Sequence, residues 1–156
     1  MRRREHMNTI ELHMADRAIS LRVLSGRQAG QRIPVGSLAD AHKLLTQGPL
    51  TAAKVEAVIA AIEDLLMPAL RALPDRAALV VVEAGWGDIL HGLASAGEPV
   101  PVAAIETRFN QLADIASGSP ARLHQVSTAP LSVLKLLLLR EVMHHGGFAT
   151  VTARSD

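Results

Sequence analysis

Hydrophobic and polar residues alternate with a period of two at the start of the chain. In "NTIELHMADRAISLRVL", Ile10, Leu12 and Met14 share one parity, and Ile19, Leu21 and Val23 do the same beyond a short polar "ADRA". Successive side chains of a strand point to opposite faces, so this pattern predicts an antiparallel hairpin with one buried face. After the loop "SGRQAGQR", the stretch "RIPV" predicts a short edge strand, because Pro34 has no N–H to give to a central ladder.

From Ser37 the spacing changes to three and four. Ser37 and Asp40 approximate a capping box, and Leu38, Ala41, Leu44 and Leu45 form the stripe of a first helix that stops at "QGP". Thr51 is placed to cap the next helix, with Leu50 and Val55 as a hydrophobic staple. Val55, Val58, Ile59, Ile62, Leu66, Leu70 and Leu73 continue its apolar face, and Pro68 is expected to kink or break it. "RAALVVVEA" is a continuous apolar run, which suits a strand buried on both faces.

Beyond that strand, "GWG" predicts a turn, with a short helix from Asp88 to Ala96 closed by Gly97. "EPVPVAAIETRFNQLADIASG" predicts a longer helix with Val102, Ile105, Phe109, Leu112 and Ala116 inward and Gly118 at its end. "ARLHQVS" predicts a strand. "APLSVLKLLLLREVMHHGG" predicts a helix with Pro130 in its first turn and Gly146 as its cap, and "FATVTA" a last strand. Helices between single strands imply crossovers and parallel pairing. The fold class is therefore α/β (mixed α+β): one mixed sheet with an N-terminal antiparallel hairpin, packed by about five helices. Residues 8–156 are expected to form a single domain. Residues 1–7, "MRRREHM", are set aside as disordered or dispensable, with either Met1 or Met7 as the native start.

Composition narrows the chemistry. Trp86, Phe109 and Phe148 are the only aromatic residues of 156, so the core must be aliphatic and base-stacking recognition of nucleic acid lacks material. There is no cysteine, which excludes disulfides, thiolate metal sites and cysteine nucleophiles and is compatible with the cytoplasm. Net charge is +1 but unevenly spread: residues 1–50 carry eight basic and four acidic side chains, residues 51–100 three and seven. Opposed patches can help copies associate, the other reading being ordinary solvated faces. The most apolar run, Leu131–Met143, is interrupted by Lys135, Arg140 and Glu141 and is too short to span a bilayer, so no membrane role is expected. "LLTQGPLTAAKVEAVIAAI" has a helix–turn–helix outline, but its second helix sets Lys54 against Glu56, Glu63 and Asp64, which argues against nucleic acid as a partner.

The run "VVVEAGWGDILHG" ranks first as a site, because open α/β sheets bind ligands beyond the carboxyl ends of their strands. Glu83, Asp88 and His91 are the catalytic candidates, an acid–base group around the sole Trp; Gly85, Trp86 and Gly87 are the ligand-binding candidates. "GWGD" is not a dinucleotide or Walker loop: Leu90 stands where a third glycine belongs, no Gly-Lys-Ser/Thr follows, and Asp88 reads as a helix cap. "LASAG" around Ser95 lacks the first glycine of a serine-nucleophile elbow. Asp88–His91 and Glu141–His144 repeat the carboxylate-x-x-His spacing of di-iron bundles, with Glu63 and Glu106 as conceivable further ligands. The strands do not suit a bundle, so neither a metal nor another cofactor is expected, and His144 and His145 are read as interacting with the end of their own helix. The reading that follows is a small soluble cytoplasmic accessory or protein-interaction protein, homo-oligomeric on the strength of "VLKLLLL" and the charge asymmetry, with a small enzyme or small-molecule binder using the Glu83, Trp86, Asp88 and His91 cleft as the alternative.

Overall fold

The hairpin forms as its alternation predicts. β1 (Asn8–Ala15) pairs antiparallel with β2 (Ala18–Val23), with Ile10 opposite Val23 and Leu12 opposite Leu21. The turn between them is Asp16-Arg17, both with positive φ (47° and 66°). Two such residues in succession give the strand twist that a tight hairpin requires, usually with glycine among them. The computed structural model describes residues 8–95 and 97–155; the segment 1–7 set aside above, and Ala96 at the expected end of a helix, lie outside the described residues.

β3 (Arg32–Ser37) adds antiparallel to β2 at the sheet's edge, where Pro34 is tolerated. A bulge at Ile19/Ser20 lets Gly36 turn toward the helices at φ 140°, where an added Cβ would meet Leu65 at 3.0 Å. The helical hairpin follows: α1 (Ala39–Leu45), then α2 (Ala52–Arg71). The Thr51 side chain caps α2 by accepting from the Lys54 N–H at 3.2 Å. Ser37 Oγ accepts the Ala39 N–H rather than closing a box with Asp40. Pro68 does not end α2, which runs on to Arg71. Val58, Ile62, Leu66, Ala69 and Leu70 are buried along it, and at about 1.5–3 kcal/mol gross per large aliphatic this stripe outweighs the ~3 kcal/mol cost of an interior proline.

β4 (Arg76–Val82) crosses back to pair parallel with β1. α3 (Glu83–Leu90) follows without a gap, then β5 (Val100–Pro101), α4 (Val102–Ala116), α5 (Pro130–Gly146) and β6 (Thr150–Arg154). The six strands lie in the order β3-β2-β1-β4-β6-β5. β6 is parallel to β4, and β5 is antiparallel to β6 at the second edge. Among the described residues, one mixed sheet and five helices result, the architecture expected from the sequence.

Four local expectations are corrected. "ARLHQVS" is not a strand: Ala121–Leu123 is a 3₁₀ turn and Leu123 is exposed, so its apolar residues have no layer to face. "EPVP" precedes α4 as the edge strand β5 instead of opening the helix. The left-handed cap of α5 is Gly147 (φ 72°), one residue later than Gly146. The apolar run of α5 is not a surface for a second copy: Leu134 and Leu136–Leu139 are at most 2% exposed, packed within the chain. No helix among the described residues is long and apolar enough to cross a membrane.

The sheet has two unlike faces. Ile10, Leu12, Ile19, Leu21, Val23, Leu79, Val81 and Val151 belong to the aliphatic core. The alternate positions carry Glu11, His13, Ser20, Arg22 and Arg32; Glu11 is buried and ion-paired with Arg154, and Arg32 donates to Ser20 Oγ at 3.1 Å.

Candidate functional site

The first consequence of the fold concerns "EAGWGDIL". The structure makes this run helical from Glu83, so Gly85 and Gly87 lie inside α3 and not in a turn. Neither glycine has positive φ. Asp88 is consequently a helix-interior residue and caps nothing; N-cap Val82 supplies no side-chain bond. The gain that offsets two helical glycines, each about 1 kcal/mol worse than alanine, is the burial of Trp86, Ile89 and Leu90 along the inner face.

Helical periodicity then sorts the candidates onto different sides. Glu83, Gly87, Leu90 and His91 follow at helical spacings and line one cleft of about 150 Å³ with Ser95, Glu98, Val100 and Ala153. This cleft lies at the carboxyl ends of β4 and β6. Gly85 and Trp86 line a second, of about 280 Å³, with Met14, Asp16, Arg17, Leu131 and Lys135. Asp88 faces neither; it borders a small hollow of about 30 Å³ beside Arg108 and Ser132. The structure therefore brings Glu83 and His91 together, places Gly87 with them, and separates both from Trp86, Gly85 and Asp88.

The second cleft holds groups that the sequence reading did not single out. It opens where β1 and β4 lie side by side, and the chain leaves β1 toward one edge of the sheet and β4 toward the other. Such a topological switch is where open α/β sheets leave room for ligands. Arg17 projects from the hairpin turn: its Nη1 pairs with Asp16, its Nε donates to His42 Nδ1 at 3.1 Å, and its carbonyl accepts the Leu38 N–H at 2.9 Å. Lys135 comes from α5, with its side chain 13% exposed and its Nζ 3.6 Å from Asp88 Oδ1. Ser132 also donates to Asp88, at 3.2 Å. Asp88 thus ties α3 to α5 through two contacts, a positioning role. Two signals in the sequence bore on this cleft: a charged pair where a hairpin turn prefers glycine, and a single lysine within "LKLLLL".

Of the residues with metal-site spacing, Asp88 and His91 separate as described. Glu141 is buried, but its bonded imidazole is that of His145 (2.9 Å), while His144 is exposed. His145 therefore meets a side chain, not the carbonyls of its helix end.

No protein-family model and no curated protein matches the chain. Solved structures do. A crystal structure of the Aquifex aeolicus member of the Ppx/GppA protein family superposes with a TM-score of 0.66 at 7% identity, covering 96% of this chain and 53% of that one. The Aquifex aeolicus PPX-GPPA enzyme gives 0.67 at 10% identity, with 96% and 55% covered. The type II crystal structure of the Aquifex aeolicus Ppx/GppA phosphatase gives 0.70 at 10% identity, with 96% and 54% covered. The fold is theirs. At these identities the likeness extends to the fold alone, and the chain spans about half the length of the structures it matches.

Proposed function

We propose that this chain is a phosphatase-type enzyme unit that binds the phosphate of its substrate in the cleft between the β1–β2 turn and α3. The observation that carries the reading is the coincidence of two facts: the fold is shared with a phosphatase over 96% of the chain, and its switch-point cleft is lined by two cations, Arg17 and Lys135. Their acidic partners are open to water. Asp16 is 91% exposed and Asp88 53%, and ion pairs with such exposed partners are worth only about 0–1 kcal/mol. A phosphate in the cleft offers charge-assisted bonds to both cations at once.

In this reading Arg17 and Lys135 hold the phosphate oxygens and stabilise charge as water attacks phosphorus. Asp16, at the mouth of the cleft, takes the proton of that water or returns one to the departing oxygen. Trp86, 3% exposed, forms the floor and keeps the cleft's geometry.

A second reading has its own observation: Glu83 and His91 share the neighbouring cleft, so a small uncharged substrate could undergo acid–base chemistry there. The deciding experiment is release of inorganic phosphate from p-nitrophenyl phosphate and a nucleoside triphosphate, with Lys135→Ala and His91→Asn compared. Loss of release with Lys135→Ala alone supports the first reading. Loss with His91→Asn alone moves the site to the other cleft. No release, together with Trp86 emission indifferent to inorganic phosphate, overturns the phosphatase reading.

A further inference from the structure

A separate polar cluster lies among the helices and shares no residue with either cleft. At its centre is Glu141 on α5, its side chain 3% exposed. One carboxylate oxygen accepts from Arg140 Nη1 at 3.0 Å; the other lies 2.9 Å from His145 Nε2. Glu63 on α2 approaches the same imidazole nitrogen at 3.9 Å. Arg140 is held on its far side by Glu106 of α4 at 2.9 Å and stacks 3.8 Å from the Phe109 ring centroid.

We propose that Glu63, Glu141 and His145 form a binding site for a divalent transition-metal ion of the zinc class. The three ligand atoms already lie within 4.8 Å of one another. Zinc bonds of about 2.0–2.2 Å to oxygen and nitrogen set ligand atoms roughly 3–3.5 Å apart. The Glu141–His145 pair is close to that spacing, and only the half-buried Glu63 has to draw in. Helical i,i+4 placement puts Glu141 and His145 on one face of α5. Arg140 orients Glu141 through the oxygen that the ion would not use, an outer contact of the kind that metal-binding carboxylates employ.

Charge points the same way. Glu63, Glu106 and Glu141 bring three negative charges and Arg140 one positive, leaving two in excess when His145 is neutral. A protonated imidazole cancels one of them; a divalent ion cancels both and leaves the imidazole as a ligand. Only Glu141 is buried, and Arg140 already faces it; the excess negative charge sits on Glu63 and Glu106, which are partly open to water and to an incoming ion. The mixed imidazole–carboxylate set favours zinc-class ions over magnesium or calcium, which take oxygen ligands. Three protein ligands leave one position of a tetrahedron for water.

The test is calorimetric titration of the untagged, chelator-treated full chain with Zn²⁺, followed by Co²⁺ as a spectroscopic substitute. One ion per chain is expected, with the visible spectrum of four-coordinate cobalt and no competition from Mg²⁺. His145→Ala should abolish binding. Glu63→Gln, at a half-buried position that leaves the fold intact, should weaken it about tenfold or more. His144→Ala removes an imidazole whose ring centroid is 5.4 Å from that of His145 and should leave binding unchanged. No Zn²⁺ binding, binding indifferent to Glu63→Gln, or equal loss with His144→Ala would overturn the proposal.

Discussion

The two clefts flanking α3 occupy the same end of the same sheet, yet they are built for different chemistry. One is lined by Glu83, His91 and Glu98 with no basic side chain other than the imidazole. The other sets Arg17 and Lys135 around Asp16 and the edge of Trp86. A single helix of eight residues separates them. The difference teaches that proximity along the chain is a poor guide to a shared site: Glu83 and Trp86 are three residues apart and face different spaces, whereas Arg17 and Lys135 come from opposite ends of the sequence and share one.

The sharpest way to break this comparison is to remove the partition. Trp86→Ala empties a buried position of α3 and should cost about 3–5 kcal/mol in urea unfolding, with effects reaching both clefts. A loss under about 1 kcal/mol would mean that Trp86 is not packed as a core side chain of α3. Next in size, Lys135→Ala should weaken inorganic phosphate binding, followed by Trp86 fluorescence, by about tenfold or more. Glu83→Gln should leave it within about twofold, since Glu83 lines the other cleft. The reverse pattern would exchange the roles of the two spaces.

Two smaller effects sharpen the local geometry. Arg17→Gly relieves a positive φ of 66°, so stability should stay within about 1 kcal/mol of the parent, while phosphate binding falls. A variant that loses stability but keeps binding would show that Arg17 serves the hairpin alone. Gly85→Ala has no atom within 4 Å of the added Cβ and should stabilise α3 by up to about 1 kcal/mol in thermal unfolding. A destabilised variant would restore the turn that "GWG" suggests in sequence.

Much of the fold was legible because its periodicities are long and clean. The β1–β2 alternation and the α2 stripe each specify one buried face, and the fold places them accordingly; the β4 run, expected to be buried on both faces, is not, since Leu79 and Val81 enter the core while Val80 and Val82 stay partly exposed on the other face of the sheet. α3 was misread for a physical reason: two glycines around a tryptophan disfavour helix locally, and only the core that Trp86, Ile89 and Leu90 enter makes the helix worthwhile. Glu83, Gly87 and His91 share a face that becomes visible only once the helix is started at Glu83. Arg17 and Lys135 each leave a local trace, at a turn that prefers glycine and within an apolar run, but their sharing of one cleft does not, since it depends on β1 and β4 becoming neighbours at the switch in strand order. His145 rather than His144 meets Glu141, because one turn of helix separates residues four apart.

Both outermost strands contain a proline: Pro34 in β3 and Pro101 in the two-residue β5. Neither border can offer an unbroken row of backbone donors to an incoming chain. Lengthening of the sheet into cross-molecule ribbons is thereby discouraged at each end, and contacts between molecules are left to side-chain surfaces, where charge and shape can be selective.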